Sequence, residues 1–130
     1  MSLCAVGVIH SPLKCREQCP RQGIEGGVEA EVEVSPEFAA GLEGLEVGRE
    51  VMLLTWLHLA DRERLRVHPR GDKTVPLKGV FATRSPSRPN PIGLHRVRIV
   101  ELNGTTLKVH PLEALDGTPV IDIKSIIRKE

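Results

Sequence analysis

Aromatic side chains are scarce in this 130-residue chain, which has Phe38, Trp56, Phe81 and no tyrosine. A platform for single-stranded nucleic acid stacks successive bases on several aromatic faces. Three aromatic residues spread over the whole chain do not supply such a surface. The composition therefore disfavours single-strand binding by base stacking.

Cysteine is also rare, with Cys4, Cys15 and Cys19 as the whole set. The C-x3-C spacing of the last two supplies half of a metal site, but a structural site usually has four ligands, and the nearest additions are Cys4 and His10. We therefore expect free thiols and no metal. Reduced thiols are typical of the cytoplasm, which is the predicted location.

Long apolar runs are missing as well. The longest, Val51–Leu57, is far shorter than the roughly 20 residues that cross a bilayer as a helix. The first residues lack the basic region of a secretory signal. The length fits one domain. We predict a single domain over residues 1–130, with no membrane segment.

The common catalytic motifs are absent. The sequence contains no G-x-G-x-x-G after a strand, no P-loop, no H-E-x-x-H and no G-x-S-x-G. A nucleotide cofactor is therefore not indicated by the usual Rossmann pattern. No catalytic residue is identified from the sequence.

Charge is balanced overall, at net +1, but uneven along the chain. Residues 25–50 hold eight glutamates and one arginine, whereas residues 73–100 hold no acid. Just before that stretch lie Arg62, Arg64, Arg66 and Arg70. Such runs are commonly solvated faces. The alternative is a basic side that meets phosphates, with Arg64 and Arg66 as candidate contacts to RNA.

Short alternating segments predict the fold. Residues 29–34 (EAEVEV) alternate apolar and acidic side chains, and Asn103-Gly104 is a strong hairpin signal. Ser35-Pro36 indicates a short helix that ends near Gly41 or Gly44. The predicted class is all-β, a single antiparallel β-barrel-like domain with long loops and little helix. The strands are predicted at 4–9, 29–34, 49–59, 75–82, 95–102, 105–110 and 119–123.

Two segments stand out between these strands. In the first, Gly79–Gly93, three prolines hold the backbone extended and exclude regular structure over 83–93. A loop held in this way loses little entropy when a ligand binds. We predict a ligand site here, the alternative being a rigid connector. The polar side chains on this proline loop are Arg84, Ser85, Ser87, Arg88 and Asn90.

The second segment is Leu112–Lys124, which contains the tight turn Asp116-Gly117-Thr118-Pro119. The turn is the plain interpretation. The functional interpretation adds Asp116, Asp122 and Lys124 as polar groups that lie beside the proline loop in a barrel. An acid facing a basic loop would then form a polar site with both signs of charge.

These two segments, together with residues 6–12 (VGVIHSP) and 19–22 (CPRQ), resemble the YaeB/TsaA-like family, also called TrmO. The family pattern is close to G-V-F-A-T-R-S-x-x-R-P-N-P-I-G, followed by a D-G-T-P turn. The resemblance implies an antiparallel β-barrel that binds S-adenosylmethionine without a Rossmann fold and forms a homodimer. It also implies methylation of the exocyclic nitrogen of threonylcarbamoyl-adenosine beside the anticodon of tRNA.

The resemblance further implies which residues form the site. The expected cofactor contacts are Pro20, Arg21, Gln22, His58, Arg84, Leu94, Ala114, Leu115, Asp116 and Gly117. The expected substrate contacts are Arg88, Asn90, Asp122 and Lys124. Two alternatives to a tRNA methyltransferase stay open: a module that binds S-adenosylmethionine or another small ligand and acts through a partner, and a methyltransferase for a small molecule.

Overall fold

The computed structural model describes residues 1–14 and 28–127. Six strands of these residues form a closed antiparallel barrel. They are β1 (Gly7–His10), β2 (Ala30–Val34), β3 (Glu50–Trp56), β6 (Ile92–Asn103), β7 (Thr106–His110) and β8 (Pro119–Ser125). Their order around the barrel is β1-β2-β7-β6-β3-β8. Two further strands, β4 (Arg66–Val67) and β5 (Lys78–Gly79), form a separate two-stranded ladder. The predicted fold class is confirmed.

The barrel interior is filled by the apolar residues of the alternating strands. In β2 the buried residues are Ala30, Val32 and Val34, whereas Glu31 and Glu33 face outward. This arrangement follows from the two-residue period of a strand, which sends successive side chains to opposite faces. The apolar core consists of Ile9, Ala30, Val32, Val34, Val51, Leu53, Val97, Ile99, Leu107, Val109, Leu112, Ala114 and Val120.

One end of the barrel is closed. A 3-10 helix, Pro36–Leu42, lies in the connection from the end of β2 to the start of β3. Phe38, Leu42 and Leu45 from this connection pack on the core. The predicted Ser35-Pro36 start is confirmed, although the Ser35 side chain makes no capping hydrogen bond. The tight β6–β7 hairpin is at the same end, where Gly104 has φ 63°, a value that glycine adopts without strain.

The other end of the barrel gives rise to the long connections. β3 ends at Trp56, opposite the first residue of β6, Ile92. The whole segment 57–91 therefore leaves and returns at one place on the rim. The connection 111–118 meets the same end, because Val120 of β8 pairs with Thr55 near the end of β3. A site built from loops is expected here.

Three sequence predictions about segment 57–93 need correction. The strand predicted at 75–82 is only Lys78–Gly79, followed by a 3-10 turn at Val80–Ala82. Pro76 lacks an amide hydrogen, which limits a longer ladder. Residues 61–73, which lie outside every predicted strand, contain β4 and a 3-10 turn at Pro69–Gly71. Regular structure resumes at Ile92, so the last two residues of the predicted irregular stretch 83–93 belong to β6.

Candidate functional site

A cavity of about 900 Å³ opens at the end of the barrel where β3 ends and β6 begins. Its lining comes from four short segments: residues 57–60 after β3, residues 81–90 of the proline loop, residues 92–95 of β6, and residues 113–115 with Thr118 before β8. The backbone N–H of Leu57 donates to the carbonyl of Pro91 at 2.8 Å, which joins the first two segments. The cavity volume lies within the range of small-molecule sites.

The proline loop is held by Arg88. Its guanidinium donates to three backbone carbonyls, those of Val80 at 3.0 Å, Thr83 at 3.2 Å and Ser85 at 3.0 Å. The fixed fork of an arginine suits such multiple bonding. Arg88 was predicted to bind substrate, and in the structure its donors hold the loop together.

Arg84, four residues earlier on the same loop, is placed differently. It is exposed and lines the cavity. Within the part of the chain that the structure describes, its guanidinium makes no hydrogen bond or ion pair. A cation held on a rigid loop without a partner is available to a carboxylate or phosphate. Arg84 is therefore the strongest anion-binding group of the cavity.

Five more of the predicted site residues line the same cavity. They are His58, Asn90, Leu94, Ala114 and Leu115. His58 and Asn90 are exposed, and their side chains make no hydrogen bond with described residues. Ala114 is 4% exposed and belongs to the core cluster. The structure thus brings residues of both motif segments to one place.

Asp116 and Gly117 lie away from this cavity. Asp116 Oδ1 accepts from the Ser11 amide at 2.9 Å, and its Oδ2 is 3.1 Å from Lys14 Nζ. The bond from Ser11, and then Lys14, lower the pKa of the Asp116 carboxyl from its usual value. The Gly117 amide donates to Ile9 at 2.7 Å. This turn ties β8 to the end of β1 and borders a second cavity of about 450 Å³.

Asp122 and Lys124 also lie outside the main cavity. They are on β8, opposite Leu54 and Met52 of β3, and their side chains form an ion pair at 3.5 Å. The predicted contacts Pro20, Arg21 and Gln22 lie outside the described residues, as do Cys15 and Cys19. Among residues 1–14 and 28–127, no cluster of three or more metal-ligating side chains is found.

Sequence reasoning missed a polar pair in the cavity wall. His95 Nε2 lies 2.9 Å from the Oγ1 of Thr55, a residue with no exposed surface. Burial lowers the pKa of His95 to about 4, so the imidazole is neutral at pH 7. His95 is in phase with the buried Val97 and Ile99 on β6. That alternation was visible in the sequence and would have identified His95 as an inward-facing polar residue.

A cationic aromatic contact connects the cavity to the rest of segment 57–91. The Arg62 guanidinium lies 5.0 Å from the Trp56 ring centroid, and Arg62 Nε donates to the Pro89 carbonyl at 2.8 Å. Arg62 belongs to the arm, residues 61–79 of this connection, which contains the β4–β5 ladder. Arg64, three residues from Asp61, pairs with it at 3.6 Å.

The fold and cavity define a small antiparallel barrel domain with a ligand site built from the loops at one end. Comparison with known proteins gives the family: residues 8–129 match the model of the tRNA-methyltransferase O N-terminal domain. The chain belongs to this family, and the resemblance stated above is confirmed.

Relatives and solved structures agree with this assignment. A protein from Methanothermobacter thermautotrophicus, named a probable S-adenosyl-L-methionine-binding protein, is 49% identical over 92% of this chain and 85% of its own. An S-adenosyl-L-methionine-binding protein from Archaeoglobus fulgidus is 48% identical over 95% of this chain and 88% of its own. A crystal structure of TrmO from Pseudomonas aeruginosa superposes with a TM-score of 0.79 at 32% identity. It covers 99% of this chain, which spans 57% of the TrmO chain.

Proposed function

We propose that this domain transfers a methyl group from S-adenosylmethionine to the exocyclic nitrogen of threonylcarbamoyl-adenosine beside the anticodon of tRNA. The observation that supports it most is the cavity of about 900 Å³ with Arg84, which has no partner among the described residues, on its rigid wall. Family membership and the names of the two archaeal relatives support the choice of cofactor.

The residues of the cavity fit this cofactor. Arg84 offers a cation to a carboxylate. His95 is neutral and so does not repel a positively charged sulfur. Leu57, Leu94 and Leu115 add apolar surface. When bound, S-adenosylmethionine supplies an electrophilic methyl group on that sulfur.

The work left to the protein is orientation. The described cavity wall shows no activated nucleophile, and holding donor and acceptor in line supplies much of the acceleration in such a transfer. The three hydrogen bonds of Arg88 fix the loop that presents Arg84. A fixed wall keeps the two ligands at one mutual angle.

We propose the arm, residues 61–79, as the contact to tRNA. Its cations outnumber its acids, and Arg66, Arg70, Lys73 and Lys78 make no ion pair with described residues. The arm leads directly into the proline loop at Gly79, so its cations lie next to the cavity along the chain. Phosphate contacts from such cations position an RNA without reading its bases.

We also propose that the protein forms a homodimer and is located in the cytoplasm. On the outer face of the barrel, Leu54 and Trp56 of β3 pair with Leu94 and Ile92 of β6, which also line the cavity, so this apolar patch is continuous with the cavity wall. The ion pair Lys124–Asp122 flanks it with charges of both signs, which suits contact between two identical surfaces. In the described residues, no helix has the length and apolarity to cross a membrane. Sedimentation velocity tests the dimer.

The test is methylation of tRNA with radiolabelled S-adenosylmethionine, using tRNA with and without the threonylcarbamoyl group. We expect label only in the tRNA that has the group. Arg84→Ala should lower the affinity for S-adenosylmethionine at least tenfold in calorimetry. Arg49→Ala is the matched control, because Arg49 is exposed at the opposite end of β3. Equal labelling of both tRNAs refutes the substrate, and wild-type affinity in Arg84→Ala refutes the site.

A second candidate is a binding module that acts through a partner. It is favoured by the names of the archaeal relatives, which state binding and no reaction. In that case the protein binds S-adenosylmethionine at Arg84 but labels neither tRNA nor a small-molecule pool. A label that appears in small molecules alone supports the remaining alternative, a small-molecule methyltransferase.

A further inference from the structure

The neutral pair Thr55–His95 forms a polar spot at the mouth of the barrel. His95 lines the cavity, and Thr55 lies behind it with no exposed surface. A Cβ atom at Gly93 would lie 2.6 Å from Thr55 Oγ1, 2.9 Å from His95 Nε2 and 3.2 Å from Leu57 Cδ2. The three side chains therefore converge over Gly93, and only a glycine leaves room for them there.

The two ring nitrogens of His95 differ in their hydrogen bonding. Nε2 is bonded to Thr55 Oγ1. Nδ1 has no hydrogen-bond partner among the described residues. No fully buried side-chain nitrogen or oxygen of those residues lacks a partner, so the unpaired Nδ1 must be accessible to solvent. Since His95 lines the cavity, Nδ1 is the nitrogen that a ligand can reach.

The surroundings of His95 restrict the chemistry of that ligand. Leu57 and Gly93 lie beside His95, and Leu57 adds apolar surface to this part of the cavity. An anionic group would bind Arg84 in preference to His95. An uncharged imidazole does not attract anions or cations by its charge, so its ligand is expected to be a neutral polar group. A neutral imidazole edge among apolar groups suits a flat heteroaromatic ring that presents one neutral polar edge.

We propose that His95 Nδ1 hydrogen-bonds the adenine ring of a bound ligand, with Thr55 fixing the imidazole. This inference rests on the proposed function, which supplies two adenine rings: that of S-adenosylmethionine and that of the methylated nucleoside. The pair makes His95 a specificity-determining residue for adenine in the cavity. His95 is not needed as a base.

Two substitutions of similar size separate the two ring nitrogens. The amide nitrogen of His95→Gln reaches the position of Nε2, so it keeps the bond to Thr55 and removes the Nδ1 contact. The amide of His95→Asn reaches the position of Nδ1 and loses the bond to Thr55. We expect both variants to fold, with His95→Asn less stable because Thr55 loses its described side-chain partner. Circular dichroism and thermal melting check the fold.

Adenosine alone is the first probe. In an NMR titration of the imidazole signals, adenosine should shift the His95 resonances of the wild-type protein, whereas inosine should shift them at least tenfold more weakly at equal concentration. His95→Gln should bind adenosine at least tenfold more weakly than wild type, and His95→Asn should keep most of the affinity. Unchanged adenosine affinity in a folded His95→Gln protein overturns the inference. Equal losses in both variants refute Nδ1 as the contact.

The source of the adenine follows from two further measurements. If it belongs to the cofactor, His95→Gln raises the Kd for S-adenosylmethionine and leaves the KM for tRNA unchanged. If it belongs to the acceptor, the KM for tRNA rises and the Kd for S-adenosylmethionine stays at the wild-type value. Adenosine binding without any binding of S-adenosylmethionine refutes the proposed function and leaves the adenine site standing.

Discussion

The two ends of the barrel differ in how the same strands finish. At the closed end, the connection from β2 to β3 packs Phe38, Leu42 and Leu45 on the core. At the open end, the inward-facing layer contains Thr55, His95 and Thr118, and a cavity of about 900 Å³ lies beyond it. Apolar side chains stabilise the fold at one end, whereas the layer at the other end is polar, and its His95 and Thr118 line the cavity.

A small barrel of this kind separates stability from function along its axis. The long connections, 57–91 and 111–118, both lie at the open end, in line with the general placement of functional residues on loops held by a rigid scaffold. Substitutions at the closed end should therefore change unfolding without changing ligand affinity. At the open end, the effect of a substitution depends on whether the side chain holds a loop or faces the cavity.

The largest effect is expected from Phe38→Ala at the closed end. Phe38 is partly buried against the core, and its truncation should lower the free energy of unfolding by about 3 kcal/mol, the low end of the range for phenylalanine. Urea unfolding followed by circular dichroism measures the loss. The affinity for S-adenosylmethionine, measured well below the urea midpoint, should equal that of wild type. A drop in both the free energy of unfolding and the affinity would contradict the separation of stability from ligand binding between the two ends.

Arg88→Ala should give the next largest effect, and in both quantities. Three backbone carbonyls lose their donor, which should cost about 2 kcal/mol of unfolding free energy. Ligand affinity should also fall, because the loop that presents Arg84 is no longer fixed. Arg84→Ala is the matched control on the same loop: its stability should stay within about 0.5 kcal/mol of wild type. Equal unfolding midpoints for the two variants would contradict the loop-holding role.

The sequence was sufficient to predict the barrel. Alternation in segments such as 29–34 shows which side chains face inward. The hairpin signal at Asn103-Gly104 indicates that two neighbouring strands are joined, although the structure places the two turn residues one position later, at Gly104 and Thr105. The extent of β5 could not be predicted, because a run of apolar residues does not distinguish a strand from a 3-10 turn such as Val80–Ala82. β4 could not be predicted either, because its two residues are too few to show an alternating pattern.

The candidate site was predicted less completely than the fold. The rigidity of the proline loop was readable from its prolines, but the different tasks of Arg84 and Arg88 depend on which carbonyls lie within reach of each guanidinium. The position of Asp116 depends on where β1 ends, 106 residues earlier in the chain. Such long-range contacts leave no local signal in the sequence.

Asp116→Asn is expected to have a smaller effect that depends on pH. Because the folded-state pKa of Asp116 is lowered by the Ser11 amide and Lys14, the ionised carboxylate stabilises the fold above its unfolded pKa near 3.9. That contribution is lost as the pH falls through the lower folded pKa. The wild-type protein should therefore lose stability between about pH 5 and pH 2 more steeply than the variant. Thermal melting across this range measures the difference.

The result also decides the function of the turn that contains Asp116. A stability change without a change in the affinity for S-adenosylmethionine assigns Asp116 to the junction of β1 and β8. A loss of affinity at pH 7 with normal melting assigns it to the cofactor site, as the family resemblance implies. Lys14→Met is a useful companion, because it removes the ion pair at 3.1 Å and leaves the Ser11 bond in place.

The smallest effect is expected on tRNA binding, from substitution of a single cation on the arm. Arg66→Ala should weaken tRNA binding several-fold at low salt and reduce the slope of log affinity against log salt by slightly less than one, since one phosphate contact is lost. Affinity for S-adenosylmethionine should not change, because Arg66 lies outside the cavity lining. Filter binding at several salt concentrations gives the slope, with Arg49→Ala as the control at the closed end. The proposal would be contradicted by an unchanged slope in Arg66→Ala together with a reduced slope in Arg49→Ala. That result would place the RNA-binding surface at the closed end of the barrel, and the cavity would then face away from its proposed substrate.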